Sequence, residues 1–324
     1  MTALVPVDRV ARAARAGSAA RAGRVGRVAR AAAVLTAVAL VAGCGTGGTV
    51  ATGDDTVGGA ERVPAAGSGA PGADVASGAV GAPHPGGPPA GVVVDYQLGG
   101  GYPVRDGVGG VVRDVTDEPE PGVWSACYVN GFQTQPGDRD AWLADHPDLV
   151  LRDDAGEPVV DEGWPDELLL DTTTEANRAA LAEVVGAQVR ACAERGFAAV
   201  ELDNLDSWTR SGGRLDEDGA VDLATRLVAV AHDAGLAAGQ KNTPQLGTRG
   251  RDEAGFDFAV AEECAQYDEC AAYTDVYGDA VLDVEYTDDG FAAACADPDR
   301  PSSTIRRDRD LSTPDEPAYA FAVC

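Results

Sequence analysis

The chain has 324 residues, of which 44% are hydrophobic, enough for one large domain or two small ones, and its formal net charge at pH 7 is −28. Its first 43 residues hold seven arginines and one aspartate, so the charge of the remainder is −34. A surface this acidic repels nucleic acid and anionic lipid and attracts cations, which excludes a nucleic-acid partner and favours a cationic one.

The N-terminal segment has the features of a bacterial export signal. Arginines recur from Arg9 to Arg30, and the apolar run AAAVLTAVALVA that follows is too short to span a bilayer. The sequence VAGC at residues 41–44 resembles a lipobox, in which the cysteine is lipidated after cleavage. We predict a lipoprotein signal peptide over residues 1–43 and an extracytoplasmic protein anchored to the cell membrane through Cys44. The alternative is an ordinary signal peptide followed by a chance cysteine.

Residues 44–90 consist largely of Gly, Ala, Pro, Ser and Thr. A segment of this composition cannot bury enough apolar surface to offset the entropy lost on ordering, so it predicts a flexible tether. We expect residues 91–324 to form one folded domain, which acts as a monomer.

Six cysteines follow Cys44, an even number that favours disulfides in an oxidising compartment. One hypothetical pair joins Cys264 to Cys270, and a second joins Cys295 to Cys324. The remaining two, Cys127 and Cys192, could be free thiols in the core. Because the three histidines are scattered and no CxxC pair occurs, we expect no metal.

From residue 91 onward, short β-type runs alternate with amphipathic helical segments. The predicted strands are GVVVDYQ, GVVRDV, GVWSACYVN, ELLLD, FAAVELDN, LAAGQKN, FDFAVAEE, AVLDVEY and AYAFAV. One predicted helix has Thr172 and Glu175 as a capping box and ends at Gly196, and a second ends at Gly235. Alternation of this kind predicts an α/β fold with parallel strands, and eight or nine strands suit a closed (β/α)8 TIM barrel. No dinucleotide or phosphate loop follows a strand, so we expect no cofactor.

Polar and ionisable residues gather where the predicted strands end. The strand ends read DYQ (95–97), CYVN (127–130), Asp171, DN (203–204), KN (241–242), EE (262–263) and EY (285–286). Barrel enzymes carry their catalytic groups at this rim, so the pattern predicts an active site there.

The alternation of side chains along a strand predicts which acids enter the barrel. Glu201 and Asp203 share one face, and Val200 and Leu202 share the other. Since the apolar pair is expected to face the helices, the acids should point into the barrel mouth. The same reasoning predicts an inward direction for Asp95, Asp283 and Glu285.

A barrel mouth with several carboxylates, one lysine and aromatic side chains suits cleavage of a glycosidic bond. That reaction needs two carboxyl groups, one acting as acid and then base and the other as nucleophile or activator of water. Crowding of carboxylates raises the pKa of one of them and keeps it protonated near neutral pH. Sugar rings could stack on Tyr96, Tyr128, Trp124 and Trp208.

The same motifs carry a family resemblance. The succession DYQL, CYVNG, GFAAVELDN, AHDAGL, GQKN, FDFAVAEECAQYDEC and VEY resembles glycoside hydrolase family 114, the endo-α-1,4-polygalactosaminidases, from about residue 92 to residue 285. The resemblance implies a (β/α)8 fold, cleavage of α-1,4-linked galactosamine polymers and a metal-free Asp and Glu pair. It implies Asp203 as nucleophile and Glu262 as acid/base. The alternation of side chains along the strand does not separate Glu262 from Glu263, so Glu263 stays open as the alternative.

By the same resemblance, a further set of residues lines the substrate groove. These residues are Asp95, Tyr96, Tyr128, Asn204, Lys241, Glu285 and Tyr286. Deacetylated galactosamine units carry ammonium groups, which an acidic protein would concentrate. Candidates for contacts with those groups are Asp206, Asp283 and Asp288.

The predicted function is therefore that of an exported, retaining endo-glycosidase acting on a cationic amino-sugar polysaccharide. Two alternatives stay open on sequence alone. One is a non-catalytic barrel that binds polysaccharide at the cell surface, and the other is a glycosidase acting on a different glycan.

Overall fold

A computed structural model describes residues 86–324. Eight strands run in parallel and in chain order, each paired with the next. The strands are β1 Val93–Gln97, β2 Val108–Asp114, β3 Trp124–Asn130, β4 Ala199–Asp203, β5 Ala237–Lys241, β6 Phe258–Glu262, β7 Val281–Glu285 and β8 Ser303–Arg307. A short ninth strand, β9 Phe321–Val323, pairs antiparallel with β8.

The first and eighth strands meet and nearly close the sheet into a barrel. The backbone N–H of Val94 on β1 donates to Oγ of Ser303 on β8 at 3.0 Å. The predicted (β/α)8 barrel is thereby confirmed. The predicted signal peptide, Cys44 and most of the predicted tether lie outside the described residues.

Five α-helices occur among residues 86–324. They are α1 Arg139–Asp145, α2 Glu175–Arg195, α3 Glu217–Asp233, α4 Cys270–Tyr277 and α5 Asp288–Ala296. In this part of the chain, no helix is long and apolar enough to cross a membrane. The connections from β1 to β2 and from β2 to β3 carry no helix. That side of the barrel therefore lacks the usual helical cover.

Helices α2 and α3 confirm the two predicted helices, with one correction. The N-cap of α2 is Thr174, whose hydroxyl accepts from the Asn177 N–H, rather than Thr172. Gly196 ends α2 in the left-handed conformation, with φ of 92°, as the stop signal predicted.

Side chains from all eight strands meet in one apolar cluster, which marks the interior of the barrel. Its buried members are Val94, Tyr96, Val112, Ala126, Tyr128, Ala199, Ala237, Phe258, Val260, Leu282, Val284, Tyr286 and Ile305. A second cluster, between the sheet and helices α2 and α3, holds Val200 and Leu202. Glu201 and Asp203 therefore point into the barrel, as strand alternation predicted.

Strand alternation was wrong for Asp95, Asp283 and Glu285. Each alternates with residues of the interior cluster, so its side chain faces out of the barrel. The reason is that a barrel interior is itself apolar, so an apolar face does not identify the side covered by helices.

Two predicted strands differ from the structure. The ELLLD run forms only isolated bridges, through Leu168, Leu169 and Leu170, in the segment between β3 and α2. Only the last residues of AYAFAV form a strand, β9. The eighth barrel strand is STIRR, which has no strand pattern in the sequence because four of its five residues are polar or charged.

All six cysteines after Cys44 are paired. The structure contains the predicted disulfides Cys264–Cys270 and Cys295–Cys324. It also joins Cys127 on β3 to Cys192 on α2, so the expectation of free thiols there was wrong. This third bridge fastens the barrel wall to the helix that covers it.

A buried ion pair joins β1 and β8. Arg307 Nη1 lies 3.0 Å from Asp95 Oδ1, and both side chains are fully buried. Tyr102 OH donates to Asp95 Oδ2 at 2.8 Å, and Arg307 donates to the carbonyls of Ser312 and Ala320. Through Arg307, this pair ties the C-terminal segment to β1 and β8.

Substitution Arg307→Met should destabilise the protein by about 3–5 kcal/mol, because it leaves the Asp95 carboxylate buried without its countercharge. Urea unfolding measures this free energy. The matched control is Arg306→Met, whose partner Asp288 is exposed, and it should cost no more than about 1 kcal/mol. An Arg307→Met protein as stable as the control would contradict the structural role of the pair.

Candidate active site

A cleft of about 1580 Å³ opens at the C-terminal ends of the strands. Seven of the predicted site residues line it, namely Tyr128, Asp203, Asn204, Asp206, Lys241, Glu262 and Tyr286. The barrel rim therefore brings together both predicted catalytic acids and the chain's only lysine.

Lys241, at the end of β5, lies at the centre of the cleft floor. Its Nζ is 3.3 Å from Oε1 of Glu201, 3.3 Å from Oδ2 of Asp203 and 3.3 Å from Oε2 of Glu262, and its side chain is 2% exposed. Burial by itself would lower the pKa of Lys241, but the three carboxylates outweigh burial and raise that pKa well above its usual value. The lysine is therefore a fixed cation that holds three acids together.

Both oxygens of Asp203 are held in place. Oδ1 accepts the backbone N–H of Asn204 at 2.7 Å, and Oδ2 accepts the hydroxyl of Tyr128 at 2.6 Å as well as Lys241. Burial, together with the Asp203 charge, raises the pKa of Tyr128, so the phenol keeps its proton and remains a donor. The carboxylate is thus oriented without being closed off, since 17% of its side chain is exposed.

Glu262, at the end of β6, is oriented in a similar way. Its Oε1 accepts the hydroxyl of Tyr286 at 2.5 Å, and its Oε2 accepts Nδ2 of Asn242 at 3.0 Å. The side chain is 27% exposed, so it can be reached from the cleft. Asp203 Oδ2 and Glu262 Oε2 each lie 3.3 Å from the same nitrogen and cannot be farther apart than twice that distance.

The backbone turns sharply just after each of these three strands. Asn204, Asn242 and Glu263 have φ angles of 64°, 48° and 59°, a left-handed conformation that is uncommon for residues other than glycine. Such strained residues concentrate at functional sites, and asparagine tolerates the conformation better than most. The DN and KN motifs of the sequence are therefore turn residues that keep Asp203 and Lys241 at the very ends of their strands.

The turn also separates the two candidate acid/base residues. Glu262 continues the inward face of Phe258 and Val260, whereas Glu263 does not line the cleft. Glu263 is buried, and its Oε1 lies 2.7 Å from Nη2 of Arg309. Of the two, only Glu262 reaches Lys241 and the cleft.

Beneath the cleft floor, Glu201 and Tyr96 are buried together. The Tyr96 hydroxyl donates to Glu201 Oε1 at 2.7 Å and accepts from Lys241 at 3.0 Å. Within residues 86–324, Oε2 of Glu201 has no hydrogen-bond partner. Burial raises the pKa of Glu201 to about 7, although the Lys241 charge opposes this. Tyr96, predicted to line the groove, instead supports the lysine from below.

Several other predicted residues lie away from the cleft. Glu285 is buried outside the barrel, where its Oε1 accepts the N–H of Ala265. Asp283 is buried close to the Cys264–Cys270 disulfide, and these three residues are the only metal-ligand group found in the described part of the chain, with both sulfurs already bonded to each other. The remaining residues that do not line the cleft are Asp95, Trp124, Asp171, Trp208 and Asp288.

The structure also adds cleft residues that no sequence motif predicted. The segment between β3 and α2 contributes Asp161, Trp164 and Glu167 to the cleft, and Arg210 joins them from beyond β4. Arg210 bonds Asp206 Oδ2 at 2.8 Å, so this predicted ammonium contact already has a cation. The sequence DEGWPDE held the signal, a tryptophan among acids, but the adjoining ELLLD run was interpreted as a barrel strand.

Comparison with known proteins bears on the reaction. A sequence profile of glycoside-hydrolase family GH114 matches residues 76–324. The chain belongs to this family. It is a glycoside hydrolase, as the motif resemblance implied. No curated protein matches the chain.

Two solved structures are similar to this chain. Ega3 of Aspergillus fumigatus, crystallised with galactosamine, has a TM-score of 0.57 and 20% identity, covering 73% of this chain and 96% of its own. The glycoside hydrolase domain of PelA from Pseudomonas aeruginosa has a TM-score of 0.47 and 15% identity, covering 68% and 96% respectively. At this identity, the similarity to Ega3 concerns the fold.

Substitution Glu201→Gln should change how stability depends on pH. The folded protein holds the Glu201 proton to about pH 7, above the usual pKa of 4.5, so its stabilising effect is complete below 4.5 and is lost as pH rises towards 7. The excess unfolding free energy of the native protein over the variant should therefore fall across that window, by at most about 1.4 kcal/mol per pH unit.

Denaturant unfolding at several pH values measures this difference. The control is Glu183→Gln on α2, whose side chain is 84% exposed, and it should leave the pH dependence of stability close to that of the native protein. If Glu201→Gln changed the unfolding free energy by the same amount at every pH, that result would argue against titration of Glu201 in this range.

Proposed function

We propose that the protein is an exported, retaining endo-glycosidase that hydrolyses α-1,4-linked galactosamine polysaccharide. The observation that carries the proposal is the arrangement of Asp203 and Glu262, two partly exposed carboxylates of one cleft that contact the same buried ammonium group. Glycosidic hydrolysis with retention uses two such carboxyl groups.

In the first step, one oxygen of Asp203 attacks the anomeric carbon as the glycosidic bond breaks. Glu262 transfers its proton to the departing oxygen, which leaves as the hydroxyl of the released chain. In the second step, Glu262 takes a proton from water, whose oxygen attacks the anomeric carbon and frees the Asp203 carboxylate. Lys241 and Tyr128 hold Asp203 in both steps. The positive charge of Lys241 and the hydroxyl hydrogen of Tyr128 stabilise the Asp203 carboxylate as it leaves the anomeric carbon.

The separation of the two acids favours this mechanism over inversion. Retaining enzymes have carboxyl groups about 5–5.5 Å apart, and inverting enzymes about 6.5–9.5 Å apart, to leave room for water. Since both acids contact one nitrogen at 3.3 Å, their facing oxygens span at most twice that distance. Separations up to this limit cover the whole retaining range but reach only the lower edge of the inverting range.

The substrate proposal has two supports. Family members are glycoside hydrolases, and Ega3, which shares the fold, was crystallised with galactosamine. The net charge of −28 and the acids of the cleft favour a cationic polymer over a neutral or anionic one. We further propose that the enzyme is anchored to the membrane through lipid on Cys44, because residues 41–44 resemble a lipobox. It would act outside the cell, because six cysteines form disulfides. We also propose that it acts as a monomer.

The nucleophile and acid/base assignments predict which carboxylate substitutions abolish activity and which do not. Asp203→Asn and Glu262→Gln should each lower kcat on polygalactosamine by at least about 100-fold, because each removes a group that takes part in bond breaking. The control is Glu263→Gln, which changes a neighbouring glutamate outside the cleft and should keep near-native kcat. Release of oligomers from the polymer is the measurement, and circular dichroism verifies folding.

Product analysis on partly deacetylated polygalactosamine tests the reaction itself. Early products with the α configuration, observed by NMR before mutarotation, would support retention, and β products would remove the nucleophile role of Asp203. Binding of the polymer without release of oligomers would favour a surface binding protein. Activity confined to a different polysaccharide would overturn the substrate.

A further inference from the structure

One wall of the cleft is formed by residues 161–167, which we call the 161–167 loop. It contributes Asp161, Gly163, Trp164 and Glu167 to the lining, next to Asn204 and Arg210. The proposed two-carboxylate mechanism gives no role to the four residues of this loop.

The shape of the 161–167 loop is fixed by a buried acid. Asp161 Oδ1 accepts the backbone N–H groups of Gly163 and Trp164, at 2.7 Å and 3.2 Å, and its Oδ2 bonds Arg210 Nε at 2.6 Å. The N–H of Asp161 donates to the carbonyl of Glu167 at 3.1 Å, which closes the loop. A preformed loop binds a ligand without a large ordering cost.

Glu167 presents an unused carboxylate oxygen at this wall. The residue is only 6% exposed, and its Oε2 accepts Nδ2 of Asn130 at 3.0 Å. Its Oε1 has no hydrogen-bond partner among residues 86–324. This oxygen is not sealed from solvent, so a cationic ligand in the cleft can pair with it and offset the cost of burying the rest of the carboxylate.

Glu167 is also coupled to the reaction centre. Asn130, its hydrogen-bond partner, accepts Nδ2 of Asn204 at 2.9 Å, and Asn204 directly follows Asp203. Burial raises the pKa of Glu167 to about 7; the Asn130 bond and Arg210 oppose this, whereas the charges of Asp203 and Asp161 add to it. The site thus lies within the electrostatic reach of the nucleophile, and a ligand cation would offset both burial and repulsion.

Trp164 offers a different kind of contact on the same wall. Its side chain is 61% exposed, more than any other large hydrophobic side chain among residues 86–324. An indole ring on the rim of a cleft is a flat apolar surface that suits the carbon-bound hydrogens of a pyranose ring.

We infer that the 161–167 loop is a subsite for an amino sugar next to the cleaved bond, in which Glu167 pairs with the ammonium group of a deacetylated unit and Trp164 stacks on a ring of the same chain. The inference rests on the proposed function and adds a basis for specificity. An N-acetylated unit carries no charge for Glu167, so the subsite selects deacetylated polymer, whereas stacking on Trp164 is indifferent to the substituent.

The test measures binding, so that it does not depend on turnover. Tetramers of α-1,4-linked galactosamine, fully deacetylated or fully N-acetylated, are titrated calorimetrically into full-length protein that carries Glu262→Gln to prevent cleavage. Adding Glu167→Gln should weaken binding of the deacetylated tetramer by about 10- to 100-fold, the range for a hydrogen bond to a charged group. It should change binding of the acetylated tetramer by less than about twofold.

Two further variants control the result. Glu162→Gln changes an exposed glutamate of the same loop that does not line the cleft, and it should leave both affinities unchanged. Trp164→Ala, at an exposed position where misfolding is not expected, should weaken both tetramers alike, by roughly 2- to 10-fold. The contrast between a selective and a non-selective loss separates charge pairing from stacking.

The outcomes separate this inference from the proposed function. Equal affinities in Glu167→Gln and its parent, or equal losses for both tetramers, would overturn the ammonium subsite, as would failure of the parent to bind either tetramer. If the native enzyme releases no oligomers from polygalactosamine but Glu167→Gln loses the deacetylated tetramer selectively, the subsite stands and the proposed reaction fails.

Discussion

The cleft depends on the ammonium group of Lys241. Each carboxylate removed from water costs several kcal/mol, so Glu201, Asp203 and Glu262 could not gather at the strand ends without a buried cation. An ammonium group is compact and directs three donors to three separate acceptors, whereas a guanidinium group directs its donors within one plane. This explains why a chain with 24 arginines has its single lysine here.

Three tyrosines also stabilise these carboxylates, one for each acid. The phenols of Tyr96, Tyr128 and Tyr286 donate to Glu201, Asp203 and Glu262 respectively. Burial raises the pKa of all three phenols, so they remain donors. Because these side chains come from β1, β3 and the end of β7, while the acids and the lysine come from β4, β5 and β6, the network forms only when the barrel is nearly closed. The arrangement of acids, lysine and phenols therefore exists only in the folded barrel.

The sequence predicted the barrel correctly, because the alternation of strands and helices follows from local geometry. It also predicted that Asp203, Lys241 and Glu262 meet at the strand ends, and the structure places all three in one cleft. It could not decide which face of a strand points inward. On β4 the acids enter the barrel, but on β7 Asp283 and Glu285 face outward, although both strands alternate apolar and acidic residues. Both faces of a barrel strand are buried, so only the pairing of all eight strands separates them. Strand β8 was missed for a related reason, since Arg307 is buried by pairing with Asp95, 212 residues away in sequence.

The segment between β3 and α2 forms part of the cleft in a way that its local sequence pattern does not predict. Its leucines at positions 168–170 are fully buried, as a strand pattern predicts, yet they form isolated bridges rather than a barrel strand. The segment therefore becomes a wall of the cleft on the side where β1 and β2 lack following helices. The cleft extends on this side past Thr116, after β2, to Ala191 on α2. A cleft that extends this far from Asp203 and Glu262 has room for more than one sugar unit, which supports the proposed cleavage within a polymer chain.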